Sequence, residues 1–335
     1  MHVVQLGNRV PPFSTENDLH HAMVEGNGWD VRFIQEGDST ALLQFITDLQ
    51  AGFERPDFIL WTSTRDLANQ WGHELQWKLL AEARRHNIPV VAYHLDRWMG
   101  LKRQNAMPTE PYFRVDLLVT ADGAHQDEWA KADVNHHWML PGVSERWCQP
   151  GTYREELATD IVFVGSWQDY GHREWRHRGE LVAWLQKTYG DRVAFYPKQG
   201  EHAVRGLELN DVYWSAKVVV GDSCLAPKVD GSPMTNYCSD RVPETLGRGG
   251  YLLHPSVEGI NDFHDPFWDA DCLCDWWEMG DWGQLRTRID TELSTGDFSS
   301  SEERLRRIEL IRENHTYTVR MRQLAELLID KGMLP

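Results

Sequence analysis

Short apolar runs alternate with amphipathic stretches from the start of the chain. Val3-Val4-Gln5-Leu6 predicts a strand ending at Gly7, then a loop, Asn8 to Phe13, stiffened by Pro11 and Pro12. Ser14 or Thr15 caps the next helix, with Leu19, Ala22 and Met23 on one face and Gly26 and Gly28 at its end. Val31 to Ile34 predicts a second strand. A helix led by Ser39 follows, with Leu42, Leu43, Ile46 and Leu49 as its buried stripe. Asp57 to Trp61 predicts a strand, Asn69 to His86 a helix, and Pro89 to Tyr93 and Asp116 to Thr120 two more strands. Strands that alternate with helices build a parallel sheet covered on both faces.

The pattern relaxes from Leu140-Pro141-Gly142 to Thr152, then restarts. Asp160 to Val164, Val193 to Tyr196, Lys217 to Val220 and Tyr251 to His254 read as strands; His172 to Tyr189, Leu207 to Ala216 and Val242 to Gly247 read as helices. Two closing helices are expected over Ser301 to Asn314 and Tyr317 to Lys331. The expected architecture is α/β, with two Rossmann-like domains facing across a cleft. The partition is 1–150, 151–316 and a terminal helix, 317–335, crossing back to the first domain. Doubly wound sheets bind ligands at the carboxyl ends of their strands, so chemistry is sought in the loops that follow strands.

Composition narrows the class. The 335 residues are 41% apolar and 25% charged, with a mean hydropathy of −0.54, which describes a globular chain and excludes a disordered or fibrous one. No run approaches the roughly 18 apolar residues that span a bilayer, and the start, MHVVQLGNRVPPF, reads as no secretory signal. Five cysteines, an odd and low count, suit a reduced cytoplasmic setting. The net charge of −17 disfavours generic polyanion binding. That charge is uneven: Pro255 to Ser300 holds eleven acidic residues against two arginines, while His172 to Glu208 holds seven basic against five acidic. Sixteen tryptophans fit either large cores or stacking surfaces.

Three constellations carry candidate chemistry. Val164-Gly165-Ser166 leads towards His172-Arg173 through a small-residue turn that aims backbone N–H groups at an anion, with Arg173 and Arg176 adding charge. A plain strand–turn–helix with surface arginines is the alternative. The second is Tyr237-Cys238-Ser239-Asp240-Arg241-Val242-Pro243-Glu244, then Gly247, Gly249 and Gly250. Ser at the helix start, Pro in its first turn and Glu just inside match a helix N-terminus pointed at a ligand. Glu244 suits a ribose diol and Arg241 a phosphate. The third is His94-Leu95-Asp96-Arg97-Trp98, where Asp96 can act as a base and His94 can share its side. A surface pair of Asp96 with Arg97 or Arg103 competes with that reading. Cys272-x-Cys274 with His264 has the wrong spacing for zinc and reads as loop cysteines, and Asp269-Ala270-Asp271 reads as solvated.

Ser239 to Glu244 followed by Gly247 to His254 resembles the donor-binding signature of GT-B glycosyltransferases. The closing His315-Thr316-Tyr317-Thr318-Val319-Arg320 is similar to the C-terminal motif of the bacterial and phage "glycosyl transferases group 1" related to spore-maturation proteins. The resemblance implies a nucleotide-sugar donor, a UDP-sugar by expectation, in the C-terminal domain and an acceptor in the N-terminal one, with no metal required. It implies that Glu244 holds the donor ribose and that Ser166 and Arg173 meet the diphosphate. Tyr237, Ser239 and Arg241 join the donor site, and Asp96 with His94 lies near the catalytic loop. Where relatives carry a second glutamate, eight positions before the ribose one, this chain has Asn236.

The implied activity is hexosyl or pentosyl transfer to an acceptor hydroxyl. That hydroxyl belongs to a hydroxymethylated base in phage DNA, reached in the host cytoplasm with Trp61, Trp71 and Trp98 as stacking candidates, or to a polysaccharide or small molecule. A non-catalytic nucleotide-sugar-binding protein and an epimerase are the rivals.

Overall fold

In the computed structural model the described residues are 1–62, 67–98, 104–105, 107–167, 176–198, 201–223, 236–259 and 274–335. The chain divides into two compact units: Met1–Leu140 with Tyr317–Pro335, and Pro141–Thr316.

The first unit is built on six parallel strands: β1 (His2–Gly7), β2 (Asp30–Gln35), β3 (Phe58–Trp61), β4 (Val90–His94), β5 (Leu117–Thr120) and β6 (His136–Trp138), in the order β2-β1-β3-β4-β5-β6. Alternation along each strand sorts side chains to the two faces. Val4, Leu6, Ile59, Trp61, Val90, Ala92 and Leu118 pack under α2 (Ser39–Ala51) and α3 (Leu67–Arg85). Val3, Phe58, Leu60, Val91, Leu117 and Val119 face the other way, against α1 (Thr15–His21) and the final helix.

Local chemistry sets the helix ends. Ser14 caps α1 by accepting from Asn17 N–H, and Asp38 caps α2 by accepting from Ala41 N–H. Gly52, at φ 72°, closes α2 in the left-handed conformation. The buried face of α2 is Leu42, Phe45, Ile46 and Leu49, whereas Leu43 is 45% exposed. The expected stripe was one residue out at that point, because Leu42 and Phe45 are three apart and Leu43 falls off their line.

The second unit holds five parallel strands: β7 (Thr159–Val164), β8 (Val193–Tyr196), β9 (Ala216–Val220), β10 (Leu252–Pro255) and β11 (Cys274–Trp277), in the order β11-β10-β9-β7-β8. α4 (Gln126–Lys131) belongs to the first unit; the helices of the second, among the described residues, are α5 (Arg176–Tyr189), α6 (Gly206–Ser215), α7 (Arg241–Gly247), α8 (Trp282–Thr295) and α9 (Ser301–Asn314). Ile161, Phe163, Val218, Val220 and Leu253 pack with Leu181 and Leu185 of α5 and Leu285 and Ile289 of α8. Four strands and helices were not expected from the sequence: β6 and α4 in the first unit, β11 and α8 in the second. Cys274 opens a strand and is not a loop cysteine as read; Cys272 and His264 lie outside the described residues.

α10 (Tyr317–Asp330) belongs to the first unit, where Tyr317, Met321, Leu324 and Leu328 join the core cluster of Val3 and Leu19. It meets a π-helical turn, Ala22–Gly26. A Cβ on Gly26 would lie 2.0 Å from Thr318 Oγ1, so only glycine allows this approach. Asn27 Nδ2 donates to Thr318 O at 3.0 Å. No helix among the described residues is long and apolar enough to cross a membrane.

Candidate active site

In chain order both sheets read second-first-third-fourth-fifth, with a sixth strand following in the first, which places a topological switch point between β1 and β3 and another between β7 and β9. Crevices for ligands open at the carboxyl ends of such strand pairs. In the second unit that edge carries Gly165 and Ser166 after β7, Gly221 to Ser223 after β9, and the start of α7.

Ser166 is exposed there. Arg178, one turn into α5, donates through Nη1 to Ser166 O at 3.1 Å. The same guanidinium grips Asp222 through Nε and Nη2 at 2.6 and 3.0 Å. Both side chains are buried. A bidentate pair of this kind fixes orientation as well as charge. Arg241 comes from α7, its Nη2 3.9 Å from Asp222 Oδ1, and Nη1 donates to Val164 O. Its guanidinium also sits over the Phe163 ring, 5.8 Å from the centroid. Gly221 makes room for it, since a Cβ there would stand 2.9 Å from Arg241 Cδ and 3.0 Å from Leu252 Cδ1. The ends of β7 and β9 and the starts of α5 and α7 are thus tied through two arginines and one carboxylate.

His254, in β10, lies beside this group, with its Cδ2 3.5 Å from the Cβ position of Gly221. It is 1% exposed and its Nδ1 is 2.9 Å from Pro255 O, so Nδ1 carries the proton. Nε2 has no hydrogen-bond partner among the described residues. Burial pulls this imidazole down to about 4, against the opposing bond to Pro255.

Glu244 lies in α7, 31% exposed, with Oε1 3.4 Å from Arg248 Nη2. Arg248 is itself buried, donates to Gly206 O at 2.7 Å, and packs 5.3 Å from the Trp147 ring. It is a fixed partner that orients the Glu244 carboxylate. The helix starts at Arg241, one residue before the expected Val242: Asp240 is the N-cap residue, without a side-chain capping bond, and Ser239 Oγ accepts from Arg241 N–H at 3.4 Å. Ser239 and Tyr237 are buried, 7% and 4% exposed. Asn236 holds φ 51°, a conformation asparagine tolerates better than most residues. Arg173 lies outside the described residues.

The first unit places His94 at the end of β4, its ring 5.6 Å from Trp98 and 6.1 Å from Tyr112. Asp96 is exposed two residues beyond the strand, so the alternation that would put it on the side of His94 does not extend to it. Arg97 turns inward: its Nε is 3.7 Å from the buried Asp122 Oδ2 and its Nη2 3.0 Å from His125 Nε2. His125 adopts φ 61° at the start of α4, which is uncommon for a residue with a side chain. Of the tryptophans named as stacking candidates, Trp61 is 1% exposed and belongs to the core. Trp98 packs edge-on against Phe113 at 4.7 Å, and nothing is described of the Trp71 side chain.

Ser166, Arg241 and Glu244 are therefore gathered on one edge of the second unit, and His94 and Asp96 on one edge of the first. Arg178 and Asp222 were missed by sequence reasoning, and Arg248 and His254 were given no role although they lie inside the signature segment. Only Arg248 had a local signal, the four-residue spacing from Glu244 on one helix.

No protein-family model matches the chain, and no curated protein matches it in sequence. Solved structures do. The Anabaena protein HepE in complex with UDP-glucose aligns with a TM-score of 0.58 at 11% identity, covering 98% of this chain and 100% of that one. An α-glucosyltransferase in complex with UDP and a 13-mer DNA containing a central A:G mismatch aligns at 0.65 and 10% identity, covering 98% and 100%. A glycosyltransferase from Rickettsia africae aligns at 0.57 and 9%, covering 97% of each chain. The chain therefore has the two-domain, parallel-sheet α/β fold of these glycosyltransferases, the GT-B fold.

Proposed function

We propose that this chain is a glycosyltransferase that moves a sugar from a nucleotide-sugar donor, a UDP-sugar, to an acceptor hydroxyl. The observation that carries the reading is the switch-point edge of the second unit, where Arg178, Asp222 and Arg241 frame the Ser166 turn and Arg248 orients Glu244. Backbone N–H groups of the turn and the Arg241 guanidinium suit a diphosphate, and Glu244 suits the two hydroxyls of a ribose. UDP-glucose and UDP in two structures of the same fold support this choice of donor. Ser239, Tyr237 and Arg173 complete the proposed donor site, in residues 151–316.

In the first unit Asp96 takes the proposed role of base, drawing the proton from the acceptor hydroxyl as its oxygen attacks the anomeric carbon. His94 lies beside it in sequence and assists in that role. The bond from that carbon to the diphosphate oxygen breaks, and the arginines stabilise the charge that develops on the leaving group. No metal is required by this scheme. A hydroxymethylated DNA base is one acceptor to test, because an α-glucosyltransferase of the same fold was solved with DNA.

Thermal shift with UDP-, GDP- and dTDP-sugars tests the donor site, since a ligand of the folded state raises the melting temperature. A rise with one nucleotide that is lost in Glu244→Ala is expected. No rise with any nucleotide overturns the reading.

A further inference from the structure

Asp96 is the one exposed residue of the segment 95–98. Leu95, before it, packs against the core cluster of Val3 and Leu19, and Trp98 packs against the cluster of Val4 and Leu42 on the other face of the sheet. Between these two anchors Arg97 turns inward and is 9% exposed. An arginine is a costly anchor, because a buried guanidinium loses its hydration and a well-packed apolar side chain fastens a segment at least as well. What a guanidinium adds is direction, since its donors lie in a rigid plane.

That plane is set by the loop that follows β5. The pairing of His94 with Thr120 brings the ends of β4 and β5 side by side, and Ala121 N–H donates to His94 O at 3.3 Å. Arg97 Nε is 3.7 Å from Asp122 Oδ2, and its Nη2 is 3.0 Å from His125 Nε2. A guanidinium only donates, so Nε2 of His125 is the acceptor and its Nδ1 carries the proton.

The clasp is itself braced. Asp122 is fully buried; its Oδ1 accepts from Ala124 N–H at 3.2 Å and its own N–H donates to Thr120 Oγ1 at 3.1 Å. Trp138 Nε1 donates to Ala121 O and Trp129 Nε1 to Ala124 O, both at 3.2 Å. A Cβ on Gly123 would lie 2.0 Å from Trp138 Cδ2, so the indole rests on bare backbone there. His125 holds φ 61°, a costly conformation for a residue with a side chain, which persists where its surroundings impose it.

We infer that Arg97 is a positioning residue: clasped by Asp122 and His125, it fixes the chain at Asp96, so that the loop between β5 and α4 sets where the proposed base stands. The inference rests on the role proposed for Asp96. It makes the reach of that carboxylate depend on residues about 30 positions further along the chain, none of which touches the acceptor.

His125 supplies the test, because its side chain is 35% exposed and can be changed without opening the core. Asparagine tolerates the left-handed backbone, but its amide oxygen stops one atom short of the Nε2 position. Glutamine carries an oxygen at that reach. UDP release from UDP-glucose is measured with water as acceptor and with a duplex oligonucleotide containing 5-hydroxymethylcytosine. His125→Asn is expected to lower kcat about tenfold with KM for UDP-glucose unchanged, and His125→Gln to restore it to within about twofold. Hydrogen exchange over residues 95–98 is expected to be faster in His125→Asn than in wild type. Asp96→Asn with His125→Asn is expected to fall no further than Asp96→Asn alone, because the clasp acts through that carboxylate.

Equal turnover in the Asn and Gln variants, unchanged exchange, or losses that multiply in the double variant overturn the inference and leave the reading of Asp96 standing. Loss of the UDP thermal shift in His125→Asn overturns it as well, since the clasp would then serve the whole fold. Wild-type turnover in Asp96→Asn, or no UDP release by the wild-type chain, overturns the base and the inference together.

Discussion

Arg178 and Asp222 are 44 residues apart in sequence and joined by two hydrogen bonds, 2.6 and 3.0 Å long, with both side chains buried. Removing Arg178 takes both of these hydrogen bonds from a buried carboxylate, which the 3.9 Å approach of Arg241 offsets only in part. Arg178→Met is therefore expected to lower stability by about 3–5 kcal/mol in urea unfolding. Arg178→Met with Asp222→Leu is expected to recover most of that loss but not nucleotide binding, because the Ser166 carbonyl no longer has its guanidinium partner. Recovery of binding in the double variant would remove this pair from the donor site.

His254 gives the second unit a pH dependence with a defined sign. Burial holds its folded value at about 4, below the ordinary 6.5. Between those values the unfolded chain binds a proton that the folded chain does not, so stability is full above about pH 6.5 and falls as pH falls towards 4. A shift of this size corresponds to about 3 kcal/mol. His136 and His20, also lowered to about 4 chiefly by burial, act in the same direction. His254→Asn keeps a donor for Pro255 O and cannot titrate. Urea melts at a series of pH values are expected to show a shallower slope in that variant.

Asp96 is exposed beyond the end of β4, so its replacement leaves the core untouched. Asp96→Asn is expected to lower turnover by 100-fold or more, about the range assigned to general bases, while the UDP thermal shift stays at the wild-type value. Turnover equal to wild type would remove Asp96 from the mechanism. Donor binding without turnover in the wild-type chain would favour a non-catalytic binder.

Much of the fold was legible because most strands are short apolar runs between turn residues, as in Val3 to Leu6 and Asp160 to Val164. β6, α4, β11 and α8 were not. Along α8 the buried positions are Leu285, Ile289 and Glu292, so one of three core-facing residues is a carboxylate, which hides the apolar stripe. Glu292 is buried because it accepts the N–H groups of Phe298 and Ser299, a use that cannot be seen from its neighbours in sequence. The candidate site divides in the same way. Glu244 and Arg241 announce themselves within one short segment. Arg178, Asp222 and His254 meet only because the order β10-β9-β7 brings their strands together.

The last helix completes the first unit's core, with Met321, Leu324 and Leu328 set among Val3, Leu19 and Phe58. On the ribosome the chain emerges from its N-terminus, and domains fold as their residues become available. Residues 141–316 are made before α10, whereas the unit begun first must wait for Tyr317–Pro335. The order of maturation is thus the reverse of the order of synthesis. For that interval the nascent first sheet carries an uncovered apolar face, the stage at which a chaperone has most to protect.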